Sequence, residues 1–277
     1  MSTAARVRNP QAAGLFYPEH PEALQAEVET LLARASLPSE GKARQWRAWI
    51  VPHAGYVYSG PVAAAAYRRL RELREQGALP PCPKVLLLGP AHFVAFSGAA
   101  ADPADFWATP LGRVPVVNPG VEVHPEGLIK PLPEAYEREH SLEVQLPFLQ
   151  VALGGFSIFP LVTGFVTSQA LAEALEPAVE RFDVLLVSSD LSHYHPYEES
   201  HRIDERTHRL IIALDVEGAE LRSGVDACGK TAILCLMRWA RARGWQAELL
   251  DYQTSGDTAG DRESVVGYGC YGFFEPE

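Results

Sequence analysis

Three short, nearly continuous apolar runs constrain this chain more than any other feature of its sequence. Residues 46–51 lead through Pro52 into His53, residues 84–88 lead through Gly89, Pro90 and Ala91 into His92, and residues 183–187 lead through Ser188 and Ser189 into Asp190. His193 and His195 follow close behind Asp190. Runs of this length read as strands, and strands apolar on both sides belong to parallel sheets covered on both faces. Helical spacing separates them. At 21–35, Leu24, Val28, Leu31 and Leu32 fall on one face, and Pro21 suits a first helical turn. Further helices are expected at 62–73, 140–153, 168–180, 197–214 and 228–243, the last ended by Gly244, with further strands at 157–162, 247–252 and 264–274. The last strand also alternates, which suits an antiparallel member. The expected fold class is α/β: a single domain over residues 1–277 with a largely parallel central sheet flanked by helices. The stretch 97–123 is rich in Pro and Gly and has room for short extended pieces, and 101–136, the longest stretch without regular structure, is read as an insertion.

Composition then removes several function classes. The chain has 277 residues, 35 acidic against 24 basic, and a net charge of −11. No basic stripe exceeds pairs such as Arg68-Arg69, so a nucleic-acid partner is not expected. No apolar run approaches the ~20 residues that span a bilayer, and the first ten residues lack a signal peptide's apolar core. The expectation is a cytoplasmic protein with no membrane partner. Four cysteines are no disulfide framework at this length, so each reads as packing, metal ligand or nucleophile. Cys235 falls among apolar residues of a helix, as core, and Cys82 and Cys270 carry no role. Walker, Rossmann, nucleophile-elbow, Cys-x-x-Cys and His-Glu-x-x-His patterns are absent.

Parallel strands carry their carboxyl ends to one edge, and ligands collect in the crevice outside that edge. His53, His92, Asp190 and His193 therefore meet in space although they are distant in sequence. Two imidazoles and an anionic ligand, with positions left open, describe a reactive mononuclear metal site. Cys228, in Asp-Ala-Cys-Gly-Lys at the start of the 228–243 helix, offers a third donor. A helix N-terminus lowers a thiol pKa, and thiolate is the form that binds metal. His140 opens the 140–153 helix with Glu143 three residues on, so the pair either orients a ligand or forms a polar helix start. Tyr56, with Tyr58 and Ser59, is placed on the pocket lining after His53, with Gly55 and Gly60 shaping the loop.

Several segments resemble the Memo family. They are Pro-His-Ala-Gly-Tyr-Val-Tyr-Ser-Gly at 52–60, Gly-Pro-Ala-His-Phe at 89–93, Glu-His-Ser-Leu-Glu-Val-Gln-Leu-Pro at 139–147, Ser-Ser-Asp-Leu-Ser-His-Tyr-His at 188–195, Ala-Cys-Gly-Lys at 227–230 and Thr-Ser-Gly-Asp at 254–257. The stretch 12–18 fits as well, and the resemblance covers nearly the whole chain in order. Prokaryotic members are called AmmeMemoRadiSam system protein B, which implies AMMECR-type and radical-SAM proteins as partners. The family is similar in fold to the LigB-type, class III extradiol dioxygenases, which hold non-haem iron(II) on two His and one Glu. The resemblance implies His53, His92 and Cys228 as metal ligands. Asp190 and His193 complete the pocket, with His193 matching the acid/base histidine, and His140, Glu143, His195 and Tyr56 stand around it. Thiolate in place of Glu softens the site: one transition metal ion is expected, iron(II) first, with copper or zinc as alternatives. Animal members are linked to signalling and bind phosphotyrosine peptides. The implied function is dioxygenase-like redox chemistry on a small molecule; the alternative is a non-catalytic metal- or peptide-binding adaptor.

Overall fold

The apolar runs are strands that bury both faces. In the computed structural model, which describes residues 4–36 and 44–276, the strands in chain order are β1 (Val7–Arg8), β2 (Gln45–Val51), β3 (Lys84–Pro90), β4 (Ala99–Ala101), β5 (Phe106–Thr109), β6 (Gly112–Pro115), β7 (Ile129–Pro131), β8 (Ser157–Thr163), β9 (Val184–Ser188), β10 (His193–His195), β11 (Gln246–Thr254) and β12 (Val265–Glu275). Strands β2, β9, β3 and β8 lie side by side and parallel. Trp49 and Val51 of β2, Val85 and Leu87 of β3, and Val184 and Leu186 of β9 enter one apolar layer. Their neighbours Ala48 and Ile50, Leu86 and Leu88, and Leu185 and Val187 enter the other. The two-residue alternation of a strand thus divides each run between two cores and leaves no polar face to show in the sequence.

Helices α1 (Pro21–Arg34), α2 (Tyr56–Glu75) and α3 (Leu146–Leu153) close the first core. The second is closed by α4 (Ser168–Val179), α5 (Tyr197–Ile212), α6 (Val216–Glu220) and α7 (Lys230–Arg243). A short α8 (Ser255–Thr258) carries a capping box between Thr254 and Asp257, where the sequence reads only as a loop. The α/β class and the flanking helices stand as expected, but the sheet is mixed beyond its parallel centre. β12 is antiparallel to β2, β11 and β10, as its alternation suggests, and β4 is antiparallel to β8.

Three local expectations are corrected. Helix α2 begins at Tyr56, not at 62, and absorbs the expected pocket loop. Pro61 inside its second turn hides that start, and Gly60 allows close packing: a Cβ there would stand 2.9 Å from Leu31 Cδ1 of α1. The 140–153 helix is shorter. A 3₁₀ turn at Glu143–Gln145 precedes α3, whose first turn is marked by Pro147, so His140 sits in a loop rather than opening a helix. The 101–136 stretch holds the β5–β6 hairpin, which pairs with β1 in a separate three-stranded sheet.

Asp204 of α5 braces the loop between β9 and β10. It is fully buried and accepts from the Ser192 N–H at 3.1 Å and from the hydroxyls of Ser200 and Tyr252 at 3.3 and 2.8 Å. Gly267 pairs with the same loop, through Leu191 N–H to Gly267 O and Gly267 N–H to Ser192 O. A Cβ on Gly267 would stand 1.9 Å from Asp204 Oδ2. Gly267→Ala is therefore expected to lower the unfolding free energy by about 1–3 kcal/mol in urea denaturation. An unchanged midpoint and slope would contradict this packing.

Candidate metal centre

Strand register decides what meets at the carboxyl rim. Val51 of β2 pairs with Ser188 of β9, so two residues further on His53 and Asp190 stand together. The His53 N–H donates to Asp190 Oδ1 at 2.7 Å. On the other side of β9, Leu88 of β3 pairs with Val187, which brings His92 to the same rim. His140 joins from the loop before α3. Its ring is stacked between Phe16 and His92, at centroid distances of 4.3 and 4.9 Å. His53 meets both other imidazoles edge-on, at 5.2 Å from His92 and 5.6 Å from His140. One ligand atom from each of His53, His92 and His140 lies within 4.8 Å of the others, so this cluster can hold a metal ion. A cavity of about 300 Å³ opens beside it, lined by His92, Phe93, Phe96, Phe165, Cys228 and Thr231 among others.

Charge at the rim follows from burial and from one carboxylate. Burial, with His92 and His140 close by, holds His53 well below the usual imidazole range. Burial also takes His140 down to about 4 in spite of Glu139, and lowers His193. His53 and His140 are thus neutral at pH 7, the form that ligates metal. Burial pushes Asp190 up to about 7, against the pull of the His53 and Ala54 N–H groups. Glu139 goes the other way. Its burial opposes ionisation, but donors from His92 and Ser141 outweigh it and bring the carboxyl to about 2. Glu139 accepts from the His92 N–H at 2.6 Å, the His92 Nδ1–H at 2.9 Å, the His140 N–H at 3.0 Å and the Ser141 N–H at 2.9 Å. An ionised acceptor at Nδ1 leaves His92 presenting Nε2, as carboxylate partners do for metal-bound histidines.

Cys228 corrects one part of the sequence reading. Helix α7 begins at Lys230, and Cys228 lies just ahead of it. Burial and the neighbouring Asp190 push its thiol up to about 12, rather than down as a helix N-terminus alone would do. The sulfur nevertheless sits at the site, 3.3 Å from His53 Nε2 and 3.3 Å from the Asp190 N–H. It stands beside the three-imidazole group rather than within it.

The remaining expected residues divide. His193 opens β10 three residues past Asp190 and its charge would add to the penalty on a charged His53, but among the described residues no hydrogen bond or ring contact joins it to the imidazole cluster. His195 pairs with Val265 in β10, past Tyr194 at φ 61°, and among the described residues no hydrogen bond or ring contact joins it to the imidazole cluster. Tyr56 is buried, its hydroxyl donating to Val144 O at 2.6 Å, so it supports the 139–147 segment from below. Glu143 is likewise buried and does not point to the rim with His140. It accepts from Arg8, Tyr17 and the Gln11 and Ala12 N–H groups, anchoring the segment that brings Phe16 onto His140. Glu139 and Ser188, which hold His92 and His53, carry no assigned role in the sequence reading. The adjacency of Glu139 to His140 is its only local signal.

Comparison with known proteins relates the whole chain to one family. The model of the family described as Memo-like protein matches residues 8–271. A MEMO1 family protein of Archaeoglobus fulgidus is 36% identical over 271 residues, covering 95% of this chain and 97% of its own length. One from Aeropyrum pernix is 37% identical over 281 residues, covering 95% and 98%. One from Saccharolobus solfataricus is 36% identical over 281 residues, covering 94% and 97%.

Removing Glu139 leaves its N–H donors without an acceptor. Glu139→Ala is expected to cost about 2–4 kcal/mol of unfolding free energy. The sign with pH is fixed as well: a folded value of about 2 lies below the ordinary 4.5, so the carboxylate's contribution is fully present above pH 4.5 and is lost as pH falls toward 2. Urea titrations at pH 7 and pH 3 should show a smaller wild-type advantage over Glu139→Ala at the lower pH. An equal gap at both would contradict the assignment.

Proposed function

The chain belongs to the Memo family, and we propose that its crevice binds one transition metal ion and performs redox chemistry on a small molecule there. The observation that carries this reading is the convergence of His53, His92 and His140. Their donors suit such an ion: His140 Nδ1 is buried without a hydrogen-bond partner, 3.6 Å from Glu139 Oε1, and His53 Nε2 faces the Cys228 sulfur. Cys228 would ligate a cation there as thiolate, giving up its proton, because a coordinating thiol is deprotonated outright. Our ligand set is His53, His92 and Cys228, with His140 alongside. Likeness to the dioxygenases puts iron(II) first, and the softer thiolate makes copper and zinc the alternatives. When bound, iron or copper would supply a redox couple and open coordination positions.

The chain's own residues supply the rest. His193, its pKa lowered by burial, keeps a free nitrogen at neutral pH and takes a proton from the substrate. Asp190 holds the His53 backbone and, near pH 7, keeps or releases a proton beside it. Phe93, Phe96 and Phe165 give the cavity apolar walls that receive the apolar part of a substrate. The exposed rim favours a second reading. Phe165 and Tyr194 are 79% and 75% exposed, which suits a metal- or peptide-binding adaptor without turnover. In that reading the AMMECR-type and radical-SAM proteins are the partners.

Protein purified without oxygen is expected to hold about one iron or copper ion per chain by elemental analysis, and Cys228→Ser combined with His53→Ala to abolish it. Unchanged metal content in that double variant would remove the ligand assignment. In an oxygen electrode with a panel of catechols, uptake that is lost in His193→Ala supports the enzyme. Peptide binding that survives His193→Ala, with no oxygen uptake by the wild type, supports the adaptor.

A further inference from the structure

We infer that Gln145 and Ser188 are positioning residues that fix which nitrogen of His53 carries its hydrogen, so that Nε2 faces the crevice as a lone pair. The argument rests on four buried groups whose hydrogen bonds can run in only one direction. Tyr67, on α2, donates its hydroxyl hydrogen to Gln145 Oε1. The Gln145 amide nitrogen donates one hydrogen to Pro52 O at 3.0 Å and the other to Ser188 Oγ at 2.7 Å. A backbone carbonyl only accepts, so the amide cannot be turned round without setting two oxygens against each other. The Ser188 hydroxyl has a single hydrogen, and it goes to Ser141 O at 2.6 Å, again a carbonyl. Ser188 Oγ therefore has only lone pairs left for His53 Nδ1, which lies 2.9 Å away. Nδ1 must be the donor, and this holds whatever the charge on the ring.

Burial gives this chain its force. Tyr67, Ser141 and Ser188 are fully buried, and Gln145 is 1% exposed, so water does not offer an alternative partner. A buried network with every donor and acceptor satisfied specifies one arrangement, and reversing one member leaves an unpaired group. The two imidazoles at the strand ends are thus set by different means: His92 by the Glu139 carboxylate, His53 by a neutral relay that starts on α2. The neutral relay adds no charge next to a ring that is already hard to protonate. Its use in holding a metal ion rests on the reading above; the hydrogen positions do not.

The test uses the full chain, labelled with ¹⁵N-histidine and stripped of metal with a chelator, in a long-range proton–nitrogen NMR correlation. This experiment distinguishes an Nδ1–H ring from an Nε2–H ring. His53 is assigned by the signals lost in His53→Gln. The wild type is expected to show a single Nδ1–H form. Ser188→Ala and Gln145→Leu are expected to show a mixture or the Nε2–H form, and Ser188→Ala to lose about 10–100-fold in zinc affinity by chelator competition. An Nε2–H ring in the wild type, or a pattern unchanged in both variants, overturns the inference. Should either variant fail to fold, the wild-type spectrum decides by itself. A wild-type Nδ1–H ring in a protein that binds no metal supports this inference while removing the metal reading.

Discussion

Parallel pairing of β2, β9 and β3 is the constraint on which the rest of the structure depends. The register is fixed by packing shape, because slipping any of these strands by one residue exchanges its side chains between two close-packed cores. The positions just past the strand ends are fixed with it. His53 and Asp190 meet because Val51 pairs with Ser188, and His92 follows because Leu88 pairs with Val187. The cores thus set the distances at the rim, because His53, His92 and Asp190 each stand two residues past the end of a rigid strand.

Burial at that rim selects neutral groups, with one exception. His53 and His140 lose their charge, Cys228 keeps its proton, and Asp190 titrates near neutrality. Glu139 alone is held ionised, by N–H groups from His92, His140 and Ser141. A crevice with several neutral donors and one fixed negative charge behind them is poised for a cation. The rim is also braced from three directions: Glu143 fastens the segment carrying Phe16, Asp204 fastens the loop before His193, and Gln145 reaches under His53.

Much of this was legible in the sequence because apolar runs that end in His or Asp announce both a buried strand and a rim residue. That logic places His53, His92 and Asp190 directly. It fails where the partner is distant and the carrier is irregular. Glu139 lies 47 residues from His92, in a loop with no periodicity, and nothing in its spacing ties the two. The thiol of Cys228 shows a different limit: the helix-start argument weighs only the backbone dipole, whereas burial beside Asp190 decides the outcome. The start of helix α2 was hidden by Pro61, and the antiparallel β4, three alanines long, has no pattern to read.

The central claim is that an ion sits at the rim on nitrogen atoms of His53 and His92. Anomalous diffraction from crystals grown without oxygen, collected on either side of the iron absorption edge, tests it most directly. The account predicts one strong peak within bonding distance of His53 Nε2 and His92 Nε2, with the Cys228 sulfur beside it. A metal-loaded crystal whose only anomalous peak lies away from these two rings would contradict it.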